Sequence, residues 1–172
     1  MRTVLVGARP PEFDAWLERR RALDQDRLDE VWEGEYHVAP YAHGRHGAVE
    51  NELAVVLRPY ARRAGLRGSA GCNIGIKDDF RVPDMSFFEP GPTRLWNPTA
   101  AIVVEVVSPG DESRAKYTFY HRAGVEEVLI VDPEARTVEV FVRLGEGFGD
   151  AGASPRLGVS AADLQAAIGW PD

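Results

Sequence analysis

The feature that most constrains the fold is a near-continuous apolar run that contains one acid. The run covers residues 100–107, reads Ala-Ala-Ile-Val-Val-Glu-Val-Val, and carries Glu105 near its end. Such a run is typical of a central strand that is buried on both faces. Burying a carboxylate is costly unless it has a partner or a metal ion. Glu105 is therefore predicted to belong to a functional site.

A second acid and a lysine complete a candidate site. Asp84 stands 21 positions before Glu105 in a strand-like segment, and Lys116 follows in a helical segment after the turn at 108–111. Two carboxylates can hold Mg²⁺ or Mn²⁺, and a lysine can orient the attacking water. Taken singly, Asp84 also fits the start of a strand, Glu105 an ion pair with a buried arginine, and Lys116 an exposed surface position. Together they favour metal-assisted phosphodiester cleavage.

Hydrophobic periodicity and turn residues predict the remaining elements. Helices are predicted at residues 10–24, 49–64, 112–123 and 161–168, and strands at 28–32, 35–38, 66–70, 73–76, 82–88, 100–107, 127–131 and 137–144. Pro59 is expected to kink the second helix or end it early. The glycine-rich residues 145–155 are expected to form a mobile loop. This order predicts a three-layer α/β domain, with one central sheet flanked by helices.

Length and composition limit the classes of protein. The 172 residues suit one domain over 1–172, with the helices at 10–24 and 161–168 as appendages. No apolar run approaches the roughly 20 residues of a membrane span, and the short apolar start does not fit a signal peptide. A cytoplasmic protein without membrane association is the simplest expectation. The single cysteine, Cys72, is expected to be a small packed residue.

The charge balance is acidic, with a formal net charge of −7. It argues against a dedicated high-affinity DNA-binding protein, which normally carries a basic balance. It does not exclude a nuclease, because a local basic cluster can meet phosphates while acids gather at a metal site. Arg58, Arg62, Arg63 and Arg67 form such a cluster. The sequence leaves open whether they contact phosphates or form a solvated helix face.

Several segments in combination resemble the Uma-two family, a family of restriction-endonuclease-like proteins in the PD-(D/E)XK nuclease superfamily. The segments are Val82-Pro83-Asp84, Val103 to Asp111, Lys116 and Gly124 to Pro133. Asp29 to Glu35 is similar to the family's acidic N-terminal segment, and His46 to the histidine at the start of its main helix. The resemblance covers about residues 10–142.

The resemblance implies a restriction-endonuclease-like fold with a central mixed sheet, and a site of Asp84, Glu105 and Lys116 that uses Mg²⁺ or Mn²⁺. The backbone carbonyl of Val106 is expected to be a third metal ligand. The superfamily pattern has its lysine two places after the acid, where Val107 stands. The resemblance implies that the lysine of this family stands on the following helix, at Lys116 in this chain.

Five further residues are weaker candidates. Glu30 fits either a further acid near the metal or an exposed strand residue. His46 fits a phosphate contact or a packing role at the helix start, and His43 fits the same place. Arg45 and Arg114 are candidate phosphate contacts.

Three functions follow from these residues. The first is a Mg²⁺-dependent endonuclease acting on DNA as a homodimer, because a two-fold pair of sites suits cleavage of both strands. The second is a nuclease-fold binding or assembly protein without catalysis, suggested by the acidic charge and by Val107. The third is a metal-dependent hydrolase of a small phosphorylated substrate.

Overall fold

The computed structural model describes residues 3–5, 10–39, 44–108, 110 and 112–171. Its helices are α1 (Pro11–Ala22), α2 (Gly44–Arg63), α3 (Tyr117–Arg122) and α4 (Ala161–Ala167), and a 3₁₀ turn at Ser113–Lys116 leads into α3. Its strands are β1 (Thr3–Leu5), β2 (Glu30–Trp32), β3 (Glu35–Val38), β4 (Arg67–Ala70), β5 (Asn73–Ile76), β6 (Asp79–Arg81), β7 (Met85–Phe88), β8 (Trp96–Asn97), β9 (Ile102–Val106), β10 (Glu127–Asp132), β11 (Thr137–Arg143), β12 (Phe148–Asp150), β13 (Ala153–Ser154) and β14 (Val159–Ser160).

The longer strands are divided between two six-stranded sheets. The first sheet has the order β1-β3-β2-β6-β5-β8, the second has the order β12-β11-β10-β9-β7-β4, and β13 and β14 form a separate ribbon. Both large sheets are mixed, since β5–β8 and β9–β10 pair in parallel and their other neighbours pair antiparallel. The predicted mixed α/β class is therefore confirmed, but two sheets stand where the sequence predicted one.

The two sheets separate just before the predicted strand at 82–88, where the structure has a strand, β6, that the sequence did not predict. The predicted strand at 82–88 begins in the structure only at Met85, and the preceding strand β6 belongs to the other sheet. Pro83 has no N–H to donate to a sheet. The N–H of Val82 donates to the Glu30 carboxylate at 2.9 Å. The chain thus leaves the first sheet at Val82 and enters the second after Asp84, which lies at the junction.

Strand β9 is the buried centre of the second sheet, as its apolar run predicted. Val104 lies on the face that packs against Leu53 of α2 and against α4. Val103 lies on the opposite face, with Tyr120 of α3 and residues of the first sheet. Side chains alternate along a strand, so Glu105 shares the face of Val103. The acid therefore points into the layer between the two sheets.

Two local predictions were wrong. Pro59 was expected to kink α2 or end it early, and the early end is wrong, because the helix continues to Arg63. Pro59 has no N–H to donate to the Val55 carbonyl. Both residues are exposed, so water can donate to that carbonyl instead. The expected loop at 145–155 contains β12 and β13, because Phe148 packs on Tyr117 with ring centroids 5.7 Å apart.

Other predictions fall partly or wholly outside what the structure describes. Residues 40–47 were predicted as a loop, but residues 44–47 begin α2, and residues 40–43, with His43, lie outside the described residues. Pro109 and Asp111 of the predicted turn at 108–111 also lie outside them. Within the described part of the chain, each helix is too short or too polar to span a lipid bilayer.

Replacing Leu129 by alanine tests the packing of the second sheet. Leu129 is fully buried in β10, and Leu95 is 73% exposed. Leu129→Ala is expected to lower the free energy of unfolding by about 2–5 kcal/mol through lost burial and the cavity left behind. Urea denaturation measures it, with Leu95→Ala as the control expected within about 0.5 kcal/mol of the parent. Equal effects of the two substitutions would contradict this packing.

Candidate active site

Neighbouring strands place Asp84 and Glu105 opposite each other. Met85 of β7 pairs with Val104 of β9, so the next pair along this antiparallel register is Asp84 with Glu105. Cβ atoms of directly opposed residues lie about 4.5–5.5 Å apart. The Asp84 carboxylate also accepts the N–H of Val106 at 2.6 Å. The two acids of the sequence hypothesis therefore meet at the sheet junction.

Lys116 lies between two buried carboxylates. Its Nζ is 2.9 Å from Oε1 of Glu30, and 3.0 and 3.2 Å from the two carboxylate oxygens of Glu105. The lysine side chain is 4% exposed, and those of Glu30 and Glu105 are 1% and 4% exposed. Lys116 is therefore not a surface residue, and its ammonium faces Glu105 of the sequence hypothesis and the weaker candidate Glu30.

Glu30 is held by one side-chain donor and one backbone donor. The Trp32 indole N–H donates to Glu30 Oε2 at 2.6 Å, and the N–H of Val82 donates to Oε1 at 2.9 Å. Glu30 reaches this place from a hairpin, β2–β3, whose turn residues Glu33 and Gly34 both have positive φ, as a type I′ turn requires. The structure thus shows a buried acid at Glu30, not an exposed strand residue.

Tyr120 is a site residue that the sequence hypothesis did not include. Its hydroxyl donates to Oε1 of Glu105, and the side chain is fully buried. Burial raises the Tyr120 pKa well above its ordinary value, and the negative charge of Glu105 raises it further, so the hydroxyl keeps its proton. Tyr120 follows Lys116 by four positions, the spacing that puts two side chains on one helix face. That spacing is the signal in the sequence from which Tyr120 could have been predicted.

The protonation of Glu105 is balanced between opposing influences. Burial raises its pKa, the Lys116 ammonium lowers it, and the carboxylates of Asp84 and Glu30 raise it again, for a net value of about 7. The pKa of the Glu105 carboxyl group therefore lies close to neutral pH. Such perturbed acids cluster at functional sites.

His46 joins the site from the start of α2. Its Nε2 lies 3.0 Å from Oδ1 of Asp84 and 3.7 Å from Oε1 of Glu50, and its Nδ1 lies 2.9 Å from Oγ of Ser108. Burial favours the neutral ring, but hydrogen bonds to Asp84 and Glu50 outweigh it and raise the pKa of His46 to about 10. Both ring nitrogens of the protonated ring then donate, one to Asp84 and one to Ser108.

A group of potential cation ligands overlaps the predicted metal pair. One ligand atom each from His46, Glu50 and Asp84 lies within 4.8 Å of the others. Glu105 faces Lys116 and Tyr120 instead, so Asp84 is common to this group and to the predicted pair. Carboxylates suit both Mg²⁺ and Mn²⁺, whereas an imidazole is a poor ligand for Mg²⁺. Glu50 escaped sequence analysis although it follows His46 by one helical turn.

The two arginine candidates have different surroundings. Arg45 is exposed in the first turn of α2, beside His46. Arg114 is half-exposed, pairs with Glu139 and contacts the Tyr117 hydroxyl at 3.5 Å. A phosphate at Arg114 would therefore compete with the Glu139 carboxylate.

Comparison with known proteins gives the family. The chain matches the family model Uma2, described as "Putative restriction endonuclease", over residues 10–154. The protein belongs to the Uma2 family. The resemblance inferred from the residues is thereby confirmed, and the match ends beyond its predicted limit of 142.

A solved structure shares the fold of this Uma2 protein. It is a crystal structure from Anabaena variabilis ATCC 29413, described as "a putative nuclease belonging to DUF820". The TM-score is 0.63 at 20% sequence identity, over 81% of this chain and 90% of the other. At that identity the likeness shows a nuclease-like fold. No curated protein matches the sequence.

Removing the Lys116 ammonium tests the ionic network. Lys116→Met leaves two buried carboxylates without their shared cation, and breaking a buried ion pair from one side costs about 3–5 kcal/mol. We expect that loss in the free energy of unfolding, measured by urea denaturation in EDTA. Lys77, the chain's other lysine, is exposed, so Lys77→Met is the matched control. Equal stability of the two variants would contradict the network.

Proposed function

We propose that this Uma2 protein is a metal-dependent endonuclease that hydrolyses phosphodiester bonds of DNA. The observation that carries the proposal is the convergence of Asp84, Glu105 and Lys116 at one buried junction. Membership in a family described as restriction endonucleases and a nuclease-like fold support the same reaction class. The arrangement fits the PD-(D/E)XK pattern if Lys116 replaces the lysine absent at Val107.

The donor set fits a hard divalent cation, Mg²⁺ or Mn²⁺. Asp84 and Glu105 would hold it, together with the Val106 carbonyl, and His46 and Glu50 extend the donor set. When bound, such a cation neutralises charge on the scissile phosphate and makes its water more acidic. In the metal-free protein the His46 ring is protonated, so ligation by it would release a proton.

The surrounding residues have separate tasks in this proposal. The Lys116 ammonium, with three donors, can orient the attacking water while it keeps its contact to Glu30. Glu30 holds the lysine in place through a carboxylate that is itself fixed by Trp32 and Val82. Tyr120 would hold the Glu105 carboxylate through the oxygen, Oε1, that Lys116 also contacts. His46 would orient Asp84, and Arg45, exposed beside it, would contact a phosphate.

A nuclease assay with isosteric variants tests the proposal. Plasmid and oligonucleotide cleavage is measured with Mg²⁺ or Mn²⁺ for the wild type, Asp84→Asn, Glu105→Gln and the exposed control Glu35→Gln. The first two variants are expected to lose at least about a hundredfold in rate, because metal-based stabilisation is worth several kcal/mol and 1.36 kcal/mol is tenfold. The control should match the wild type. Cleavage that persists in both site variants would contradict the assignment of Asp84 and Glu105 to the active site.

The same preparation separates the other functions. A protein that binds Mn²⁺ but cleaves no DNA or RNA would favour the non-catalytic binding or assembly role. Turnover confined to a small phosphodiester such as bis(p-nitrophenyl) phosphate would favour the small-substrate hydrolase. Light scattering of the purified protein tests the proposed homodimer.

The identity of the metal can be tested through His46. Because imidazole suits Mn²⁺ better than Mg²⁺, His46→Gln should lower Mn²⁺ affinity by at least about tenfold and change Mg²⁺ affinity less. Isothermal titration calorimetry measures both constants. His121 hydrogen-bonds the Leu144 carbonyl instead, so His121→Gln is the control. Unchanged Mn²⁺ affinity in His46→Gln would remove the histidine from the metal site.

A further inference from the structure

An arginine-lined crevice lies between the second half of α2 and the strand β4. Its volume is about 480 Å³, and its walls include Arg58, Arg62 and Arg67, with Met85 and Phe87 among the apolar lining. This size falls in the range of ligand pockets, roughly 300–1,000 Å³. Strand β4 is an edge strand of the second sheet, so the crevice is open along that edge.

The arginines of this crevice are not neutralised by acids. Among the described residues, no carboxylate forms an ion pair with Arg58, Arg62 or Arg67, and all three are exposed. Elsewhere in the described chain, arginines commonly pair with acids, as Arg20, Arg81, Arg114, Arg122 and Arg156 do. A protein of net charge −7 thus keeps a local positive surface at this crevice wall.

Helical spacing aligns the positive charges. Arg58 and Arg62 are four residues apart and so project from one side of α2. Arg67 begins β4, and its Nη1 donates to the Gly91 carbonyl at 2.8 Å, which holds the guanidinium over the crevice edge. The residues of α2 one turn earlier on this side, Ala54 and Val55, are small or apolar. The wall therefore presents guanidinium groups without a competing acid.

The crevice and the catalytic junction share two elements. Met85, in the crevice, directly follows Asp84, and the N–H of Gly71, just after β4, lies 3.3 Å from the Asp84 carbonyl. Along α2, Arg58 and Arg62 follow His46 by 12 and 16 residues, roughly 18 and 24 Å at 1.5 Å per residue. Alternation places Met85 on the sheet face opposite to Asp84. A ligand in the crevice would reach the junction around the edge of β4.

We propose that this crevice binds the sugar-phosphate backbone of the nucleic acid that flanks the cleaved bond. Guanidinium groups match phosphate geometry through paired N–H donors, and apart from Ser69 the rest of the lining is small or apolar. At 3.4 Å per nucleotide step, the arginines reach phosphates about five to seven steps from the junction. The proposal rests on the proposed function in taking nucleic acid as the substrate.

Salt dependence of binding tests the crevice without cleavage. Fluorescence anisotropy in EDTA measures the Kd of labelled 24-nucleotide single strands and duplexes over a range of salt concentrations. Each lost phosphate contact lowers the slope of log Kd against log salt by about 0.9 for duplex and 0.7 for single strands. Arg58→Gln/Arg62→Gln is therefore expected to lower the slope by roughly 1.4–1.8. The exposed pair Arg19→Gln/Arg21→Gln on α1 carries the same charge change and should leave the slope unchanged.

A length series adds a second readout. In cleavage reactions, the crevice variant should raise KM for 24-nucleotide substrates and have little effect on KM for substrates that extend only three nucleotides beyond the cut. The proposal that the crevice binds the backbone would be overturned if the crevice variant kept the wild-type salt slope. It would also be overturned if the salt slope of the α1 control fell by the same amount. Binding of polyglutamate in place of oligonucleotides would also overturn it. Binding that depends on the arginines but occurs without cleavage would support the role of the crevice. It would contradict only the proposed nuclease activity.

Discussion

The arrangement of the site depends on one ionic contact, the Lys116 ammonium between the carboxylates of Glu30 and Glu105. All three groups are nearly inaccessible to solvent, so each alone would be costly to bury. Glu30 belongs to the first sheet, Glu105 to the second, and Lys116 to the turn before α3. The contact therefore joins three parts of the fold at the point where catalysis is proposed.

The same junction explains why the other acids converge. The chain crosses between sheets at Val82 and Pro83, which delivers Asp84 opposite Glu105. The start of α2 then brings His46 to the far side of Asp84. Carboxylates, an imidazole and an ammonium thus surround one place, while the arginine crevice lies on the other face of the second sheet. The proposed catalytic site and the proposed site for the nucleic-acid backbone would be separated in space, but both include residues of β7 and α2.

Sequence analysis anticipated the residues whose signal is local. Glu105 stands out because an acid interrupts an apolar run, and Asp84 because it is an acid in a strand-like segment. The division into two sheets was missed, because a short apolar segment carries no sign of which sheet it joins. Tyr120 and Glu50 were missed because their roles come from contacts across the fold, although helical spacing from Lys116 and His46 pointed to them.

Chemical rescue of the lysine tests most directly that its ammonium serves catalysis. In a Cys72→Ala background, Lys116→Cys is alkylated with 2-bromoethylamine while unfolded and then refolded, which restores an amine near the original position. We predict that the cysteine variant has lost DNA cleavage with Mn²⁺ and that the aminoethylated protein regains it. A folded cysteine variant that cleaves at the wild-type rate, or an aminoethylated protein that folds but stays inactive, would contradict the role assigned to Lys116.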